Sequence, residues 1–285
     1  MSRIAYLNGQ LCSLGEAKVS VLDRGFLFGD GVYEVVRCYD GHWFRMADHV
    51  ARLARSLSQC DLVDFDAAWM EGVAHDLVAA NGAPPKDAIL YFQVTRGADL
   101  VRSHVYPKNG LKPTSFGMLR SMIRSTPEPP AATILVEDRR WGRCDIKTTA
   151  LLGHAMAANQ ANRRGGDEAI LVREGIVTEG ASTNVAAVID QKVVTHPESP
   201  KILSGISRKV VLELCQEMGI PVVERPIRKD ELLNASEVFL MGTTHEVWPV
   251  ASIDGESRSL QVGSGITRKL QDRFAELTNS EGLLE

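Results

Sequence analysis

Apolar and polar positions along this chain switch between the two-residue repeat of strands and the 3.6-residue repeat of helices. "VYEVVRCY" (Val32–Tyr39) predicts a buried strand closed by the Asp40-Gly41 turn signal. In "ADHVARLARSLSQC", Val50, Leu53, Ala54 and Leu57 recur at helical spacing. A second helix is predicted over Asp66 to Asn81, with Asp66 as N-cap and Gly82 as its stop. "AILYFQVTRG" and "SFGMLRSM" read as strands.

"RSTPEPPAAT" then interrupts both repeats, because three prolines lack backbone donors and resist helix and central strand alike. Beyond it, "TILVEDRRW" reads as a strand and "LLGHAMAANQANRRGG" as a helix closed by glycines. "EAILVREGIVTEG" suggests a hairpin turning near Glu174-Gly175. "ISRKVVLELCQEMGI" is an amphipathic helix with Val210, Val211, Leu214, Cys215 and Met218 on one face. "EVFLMGTTHEVWPV" holds two strands around a Gly-Thr-Thr break. The expected fold is α+β in two domains. Residues 1–122 form a smaller α/β sandwich, 123–133 a linker, and 134–285 a larger, mostly β domain flanked by helices.

Composition narrows the classes. At 285 residues and 44% hydrophobic content the chain can bury a sizeable core. A net charge of −4, with scattered Lys and Arg, argues against nucleic-acid and polybasic membrane roles. We expect no secretory signal and no membrane span, since no apolar run approaches roughly 20 residues. Cys12, Cys38, Cys60, Cys144 and Cys215 are odd in number and widely spaced, which favours reduced thiols in the cytoplasm. The seven histidines form no ligand-spaced cluster, so no metal is expected.

Lys147 stands out. In "RWGRCDIKTTALLG" it follows an alternating run, on the same side as Asp145, and precedes a helical one. Most lysines are simply solvated. A lysine at a buried strand end is different: burial disfavours the ammonium, and a neutral amine is what Schiff-base chemistry needs. "TEGASTN", "MGTTHE" and "LSGISRKVV" place small and hydroxylated residues at turns and a helix start, where a backbone can approach an anion. Each is also an ordinary turn or cap pattern, and "FGDG" at Phe28–Gly31 is equally ambiguous. Arg102 and His104 share an expected loop and suit carboxylate capture, or solvent exposure.

These segments, in this order, resemble the class IV, fold-type IV aminotransferases that use pyridoxal phosphate, above all their D-amino-acid-specific members. The resemblance spans nearly the whole chain and is strongest in "DRGFLFGDGVYEVV", "YFQVTRG", "VEDRRWGRCDIKTTALLG", "EAILVREGIVTEGASTNV" and "ILSGISRKVV". It implies that Lys147 holds the cofactor as an internal aldimine and moves the α-proton. Glu179 would face the pyridine nitrogen. Arg52 would clamp the phosphate with Ile206, Ser207 and Thr243, Leu203 would pack on the ring, and Ser182 and Thr183 would lie nearby. Tyr33, Arg102 and His104 would bind the substrate α-carboxylate.

The implied reaction converts D-alanine and 2-oxoglutarate to pyruvate and D-glutamate by a ping-pong cycle, in a homodimer. Arg37 stands where the D-specific pattern has lysine and branched-chain relatives have arginine, which keeps a branched-chain or broad-specificity transaminase as the alternative. Aminodeoxychorismate lyase chemistry is a further alternative, one that leaves Arg102 and His104 without a role. The loop before Arg102 is one residue longer than the pattern, and Ala181 replaces a serine.

Overall fold

The computed structural model describes residues 3–82, 87–122, 129–257 and 265–279. The chain divides into two compact units, Met1–Arg124 with Ile146–Leu151, and Ser125–Asp145 with Leu152–Glu285.

The first unit contains β1 (Ile4–Leu7), β2 (Gln10–Ser13), α1 (Arg24–Phe28), β3 (Gly31–Tyr39), β4 (His42–Trp43), α2 (Met46–Gln59), α3 (Trp69–Asn81), β5 (Asp87–Thr95) and β6 (Thr114–Ser121). Its sheet is antiparallel in the order β2-β1-β6-β5-β3-β4. Asp40 and Gly41 both have positive φ, as the tight β3–β4 hairpin requires. Val32 and Val36 of β3, with Leu90 and Phe92 of β5, pack against Leu53 and Leu57 of α2 and Met70, Val73 and Leu77 of α3. The two helices thus cover the face that carries the even-numbered residues of β3. β4 pairs only with the Cys38–Tyr39 end of β3, so the Gly31–Tyr33 end needs another partner.

The second unit contains β7 (Ala131–Glu137), α4 (Leu152–Arg163), β8 (Glu168–Arg173), β9 (Ile176–Gly180), β10 (Asn184–Ile189), β11 (Lys192–Thr195), α5 (Ile206–Glu217), β12 (Val222–Glu224), β13 (Ile227–Arg228), α6 (Lys229–Asn234), β14 (Glu237–Gly242), β15 (Glu246–Ile253), β16 (Glu256–Ser257) and α7 (Ile266–Leu277). The strand order is β12-β11-β10-β14-β15-β7-β8-β9-β13, with β16 on β15. Its two end strands are separated in sequence only by Arg225 and Pro226. Glu224 and Ile227 can be no more than about 11 Å apart, whereas nine strands laid flat would span about 38 Å. The sheet therefore curls nearly shut. One apolar cluster confirms this, drawing on Val194, Val185, Leu240, Val250, Ala131, Ile170, Val177 and Ile227 from β11 round to β13.

Expected and observed elements differ at three places. Helix α3 starts at Trp69, with Ala68 as its N-cap, because the Asp66 carboxylate accepts the Ala68 N–H at 2.9 Å and closes a turn first. "CDIK" forms no strand: Lys147 lies in irregular backbone. Residues 123–128 of the expected linker lie outside the described residues, and β7 already begins at Ala131. Among the described residues no helix is long and apolar enough to cross a membrane.

Candidate active site

The missing partner of β3 is the lysine segment. The Lys147 carbonyl accepts the Tyr33 N–H and the Gly31 carbonyl accepts the Thr149 N–H, both at 2.9 Å, while Thr148 bridges Val32. The hydroxyls of Thr148 and Thr149 donate to the carbonyls of Gly31 and Gly29 at 3.1 Å. A Cβ on Gly29, whose φ is +68°, would lie 2.9 Å from that of Ala150. Gly29 of "FGDG" therefore serves this close approach. Lys147 is half-buried, with Nζ 4.4 Å from the centre of the Tyr33 ring. Tyr33 in turn stacks on Tyr91, whose hydroxyl donates to Gln93 at 2.6 Å.

Arg52 projects from α2 toward β3 and is buried. Its Nε and Nη2 donate to Oε1 and Oε2 of Glu34, each at 2.7 Å, and His49 Nδ1 lies 2.7 Å from Oε2. Burial alone would raise the Glu34 carboxyl, but Arg52 and His49 overturn that and hold it far below the carboxylate range. Burial lowers His49, and the charges of Arg52 and Lys147 reinforce the shift against the pull of Glu34.

Arg102 and His104 lie on the exposed loop after β5. Both pack on one ring: Arg102 Cζ is 5.0 Å, and the His104 ring 5.2 Å, from the centre of Phe28. Their side-chain contacts run to Phe28 rather than to Tyr33. Arg37 is 1% exposed, donates to the Met122 sulfur at 2.8 Å and lies 3.7 Å from Asp87, so its charge is committed to the end of the sheet.

In the second unit Glu179 sits on β9, buried. It forms an ion pair with Arg140 and accepts the Asn184 amide at 3.0 Å and the Leu203 N–H at 2.9 Å. Burial pushes its carboxyl up to about 7, against the lowering pull of Arg140 and the Leu203 N–H. Arg140 also grips Asp138 through two 2.9 Å bonds. Burial opposes ionisation of Asp138 too, yet Arg140 holds it down at about 2. Asn184 donates to the Leu203 carbonyl at 2.9 Å as well, so Leu203 is tied by both backbone groups.

Ile206 and Ser207 open α5, both buried. Its N-cap is Gly205, no side chain caps it, and its first turn holds no acid. Such an end favours a phosphate. Thr243 is half-buried in the β14–β15 turn. The hydroxyls of Ser182 and Thr183 donate to Glu168, which also accepts the Ser182 and Ala181 N–H groups, so they brace the β9–β10 turn. The residues of each unit suit pyridoxal phosphate: in the first, the Lys147 amine suits its aldehyde; in the second, the buried Glu179 carboxyl suits its ring nitrogen and the uncapped α5 start its phosphate.

Glu34, His49, Asp138, Arg140, Glu168 and Asn184 were not singled out by the sequence reading. Glu34, His49, Arg140 and Glu168 act through partners distant in the chain, while Asp138 is two residues from Arg140 and Asn184 five from Glu179, a spacing that does not by itself mark a pair. The one signal in the sequence was that Glu34, Asp138, Arg140, Glu168 and Asn184 lie inside the matching segments; His49 does not.

The Amino-transferase class IV family pattern matches residues 31–253, and the chain belongs to that family. It is 42% identical over 261 residues to a D-alanine aminotransferase of Bacillus licheniformis, covering 90% of this chain and 89% of that protein. Its fold is similar to that of a branched-chain aminotransferase from Thermoproteus uzoniensis with norvaline, at a TM-score of 0.90 and 29% identity over 100% and 98% of the two chains. The PLP form of a branched-chain amino acid aminotransferase from Thermobaculum terrenum gives a TM-score of 0.84 and 26% identity over 97% and 94%.

Proposed function

We propose that the chain is a pyridoxal-phosphate-dependent D-amino-acid aminotransferase converting D-alanine and 2-oxoglutarate to pyruvate and D-glutamate. The observation that carries the D-specific reading is the pair Arg102 and His104, two residues apart and both seated on Phe28. Two such donors suit an α-carboxylate. The 42% identity to a D-alanine enzyme, against 29% and 26% for the branched-chain structures, points the same way.

When bound, the cofactor supplies an aldehyde for attachment and an electron-poor ring that stabilises negative charge at the substrate α-carbon. Lys147 Nζ would be the point of attachment and would be the group that moves the proton at the α-carbon. Glu179, oriented by Arg140, Asn184 and Leu203, holds a proton at the ring nitrogen. Arg52, the Ile206 and Ser207 N–H groups and the hydroxyls of Ser207 and Thr243 would hold the phosphate. Leu203 would pack on the ring, while Ser182 and Thr183 would act through Glu168. Tyr33, Arg102 and His104 orient the α-carboxylate, which decides the enantiomer that presents its hydrogen to Lys147.

A homodimer in the cytoplasm completes the reading. In the first unit, Leu100 is 91% exposed and Val105 76% exposed, which suits a surface covered by a second copy. Light scattering tests the assembly.

Borohydride reduction, digestion and peptide mass analysis test the attachment, with label expected on Lys147 alone. Turnover of D-alanine, but not L-leucine, with 2-oxoglutarate is the expected substrate result. Turnover of L-leucine alone would favour the branched-chain alternative.

A further inference from the structure

Arg24 is 3% exposed and has no part in the roles above. It opens α1, and Phe28 lies four residues on, one turn away on the same face. Its guanidinium serves three acceptors. Nε donates to Asp30 at 2.8 Å, Nη1 donates to the Ser103 carbonyl, and Nη2 donates to the His104 carbonyl at 3.3 Å. Asp30 is held from the other side by Arg96, through Nε at 2.8 Å and Nη2 at 3.0 Å. Arg96 is itself fixed by the carbonyls of Cys60 and Asp61, at 2.6 and 3.0 Å. Its guanidinium lies 3.5 Å over the Tyr106 ring, at the far end of the loop.

The loop contributes little to its own order. Asp99 accepts the Val101 N–H and Ser103 accepts the Val105 N–H, both local bonds, and residues 99–106 form no strand or helix. Helix α1 therefore offers a two-point seat: Arg24 takes the backbone of Ser103 and His104, and Phe28 takes the side chains of Arg102 and His104.

We propose that Arg24 is the positioning residue for the carboxylate grip, acting through Arg102 and His104. This rests on the carboxylate role assigned to that loop above. Only a planar fork reaches an aspartate and two carbonyls at once; a lysine ammonium would follow Asp30 and release the loop. Every amino acid and 2-oxo acid substrate carries the same α-carboxylate. Loosening the loop must therefore weaken all of them alike and leave side-chain preference unchanged.

The test uses the holoenzyme and R24K, R102A, R102A/H104A and R24K/R102A/H104A, with KM and kcat measured for D-alanine, a second D-amino acid and 2-oxoglutarate. R24K is expected to raise every KM by a similar factor, about tenfold, with kcat within about twofold and the cofactor absorbance unchanged. In the R102A/H104A background it should add nothing further, since coupled residues are not additive. Should R24K lower the melting temperature, F28L probes the other point of the seat and must give the same uniform rise. An unchanged KM in R24K, a fall confined to kcat, or a full effect persisting without Arg102 and His104 would overturn the proposal. R102A distinguishes the underlying reading: if its KM is unaltered, the loop is no carboxylate site and both fall; if it rises while R24K is silent, only Arg24 loses its role.

Discussion

Glu34 and Arg52 meet in a bidentate ion pair, with both oxygens at 2.7 Å from guanidinium nitrogens and both side chains buried. Removing one partner of a buried pair leaves the other uncompensated, typically at about 3 kcal/mol or more. Glu34→Gln should lower unfolding free energy by about that amount in urea titration of the apo protein. The sign with pH follows from the depressed carboxyl. Its stabilisation is present above its ordinary value of 4.5 and is lost as pH falls through the folded value, so the variant should show a shallower acid-side decline.

Glu179 runs the opposite way. With its carboxyl raised from 4.5 to about 7, the folded chain keeps a proton that the unfolded chain has released. This group's contribution to stability therefore falls as pH rises through that window. Glu179→Gln should remove that fall, read as a difference between the two apo-protein melting profiles from pH 4.5 to 8. In the loaded enzyme the same variant should lower kcat at least about a hundredfold, as expected for a preorganised charge that has been lost.

Much of this fold was legible in the sequence where one element settles its own identity. The apolar faces of α2 and α5 repeat at helical spacing, and Val210, Val211, Leu214 and Cys215 are all buried as that spacing requires. Hairpin β8–β9 turns at Glu174-Gly175, where both residues have positive φ. β1 and β2 are too short to show alternation, and α7 was not read at all. Asp66 misled because an aspartate closes a turn as readily as it caps a helix. Lys147 drew attention by its surroundings, but its support comes from β3, far away in sequence. Arg140 and Asn184 were equally hidden, since nothing local marks them as the partners of Glu179.

Gly205 has an ordinary φ of −71°, so its need for glycine is steric. A Cβ there would fall 2.0 Å from Asn184 Oδ1, inside the amide that joins Glu179 to Leu203. Gly205→Ala should destabilise the protein by about 2 kcal/mol, as overpacking does, and weaken cofactor binding as well. Thermal melting and equilibrium dialysis would read the two effects.

Ser207 offers a cleaner probe of the α5 terminus. Loss of one hydroxyl donor to a phosphate should weaken cofactor affinity about tenfold, the scale of a hydrogen bond to a charged group. Ser207→Ala titrated with pyridoxal phosphate should show that change. An unaltered affinity would remove Ser207 from the phosphate cup.

The chain leaves its first unit after Arg124, returns for Ile146–Leu151, and departs again. A gene fragment ending at Arg124 would make β3 without the carbonyl that accepts the Tyr33 N–H, and the complementary fragment would carry away Lys147 with no strand to pair it. A cut at Arg124 thus parts β3 from the segment that pairs with it.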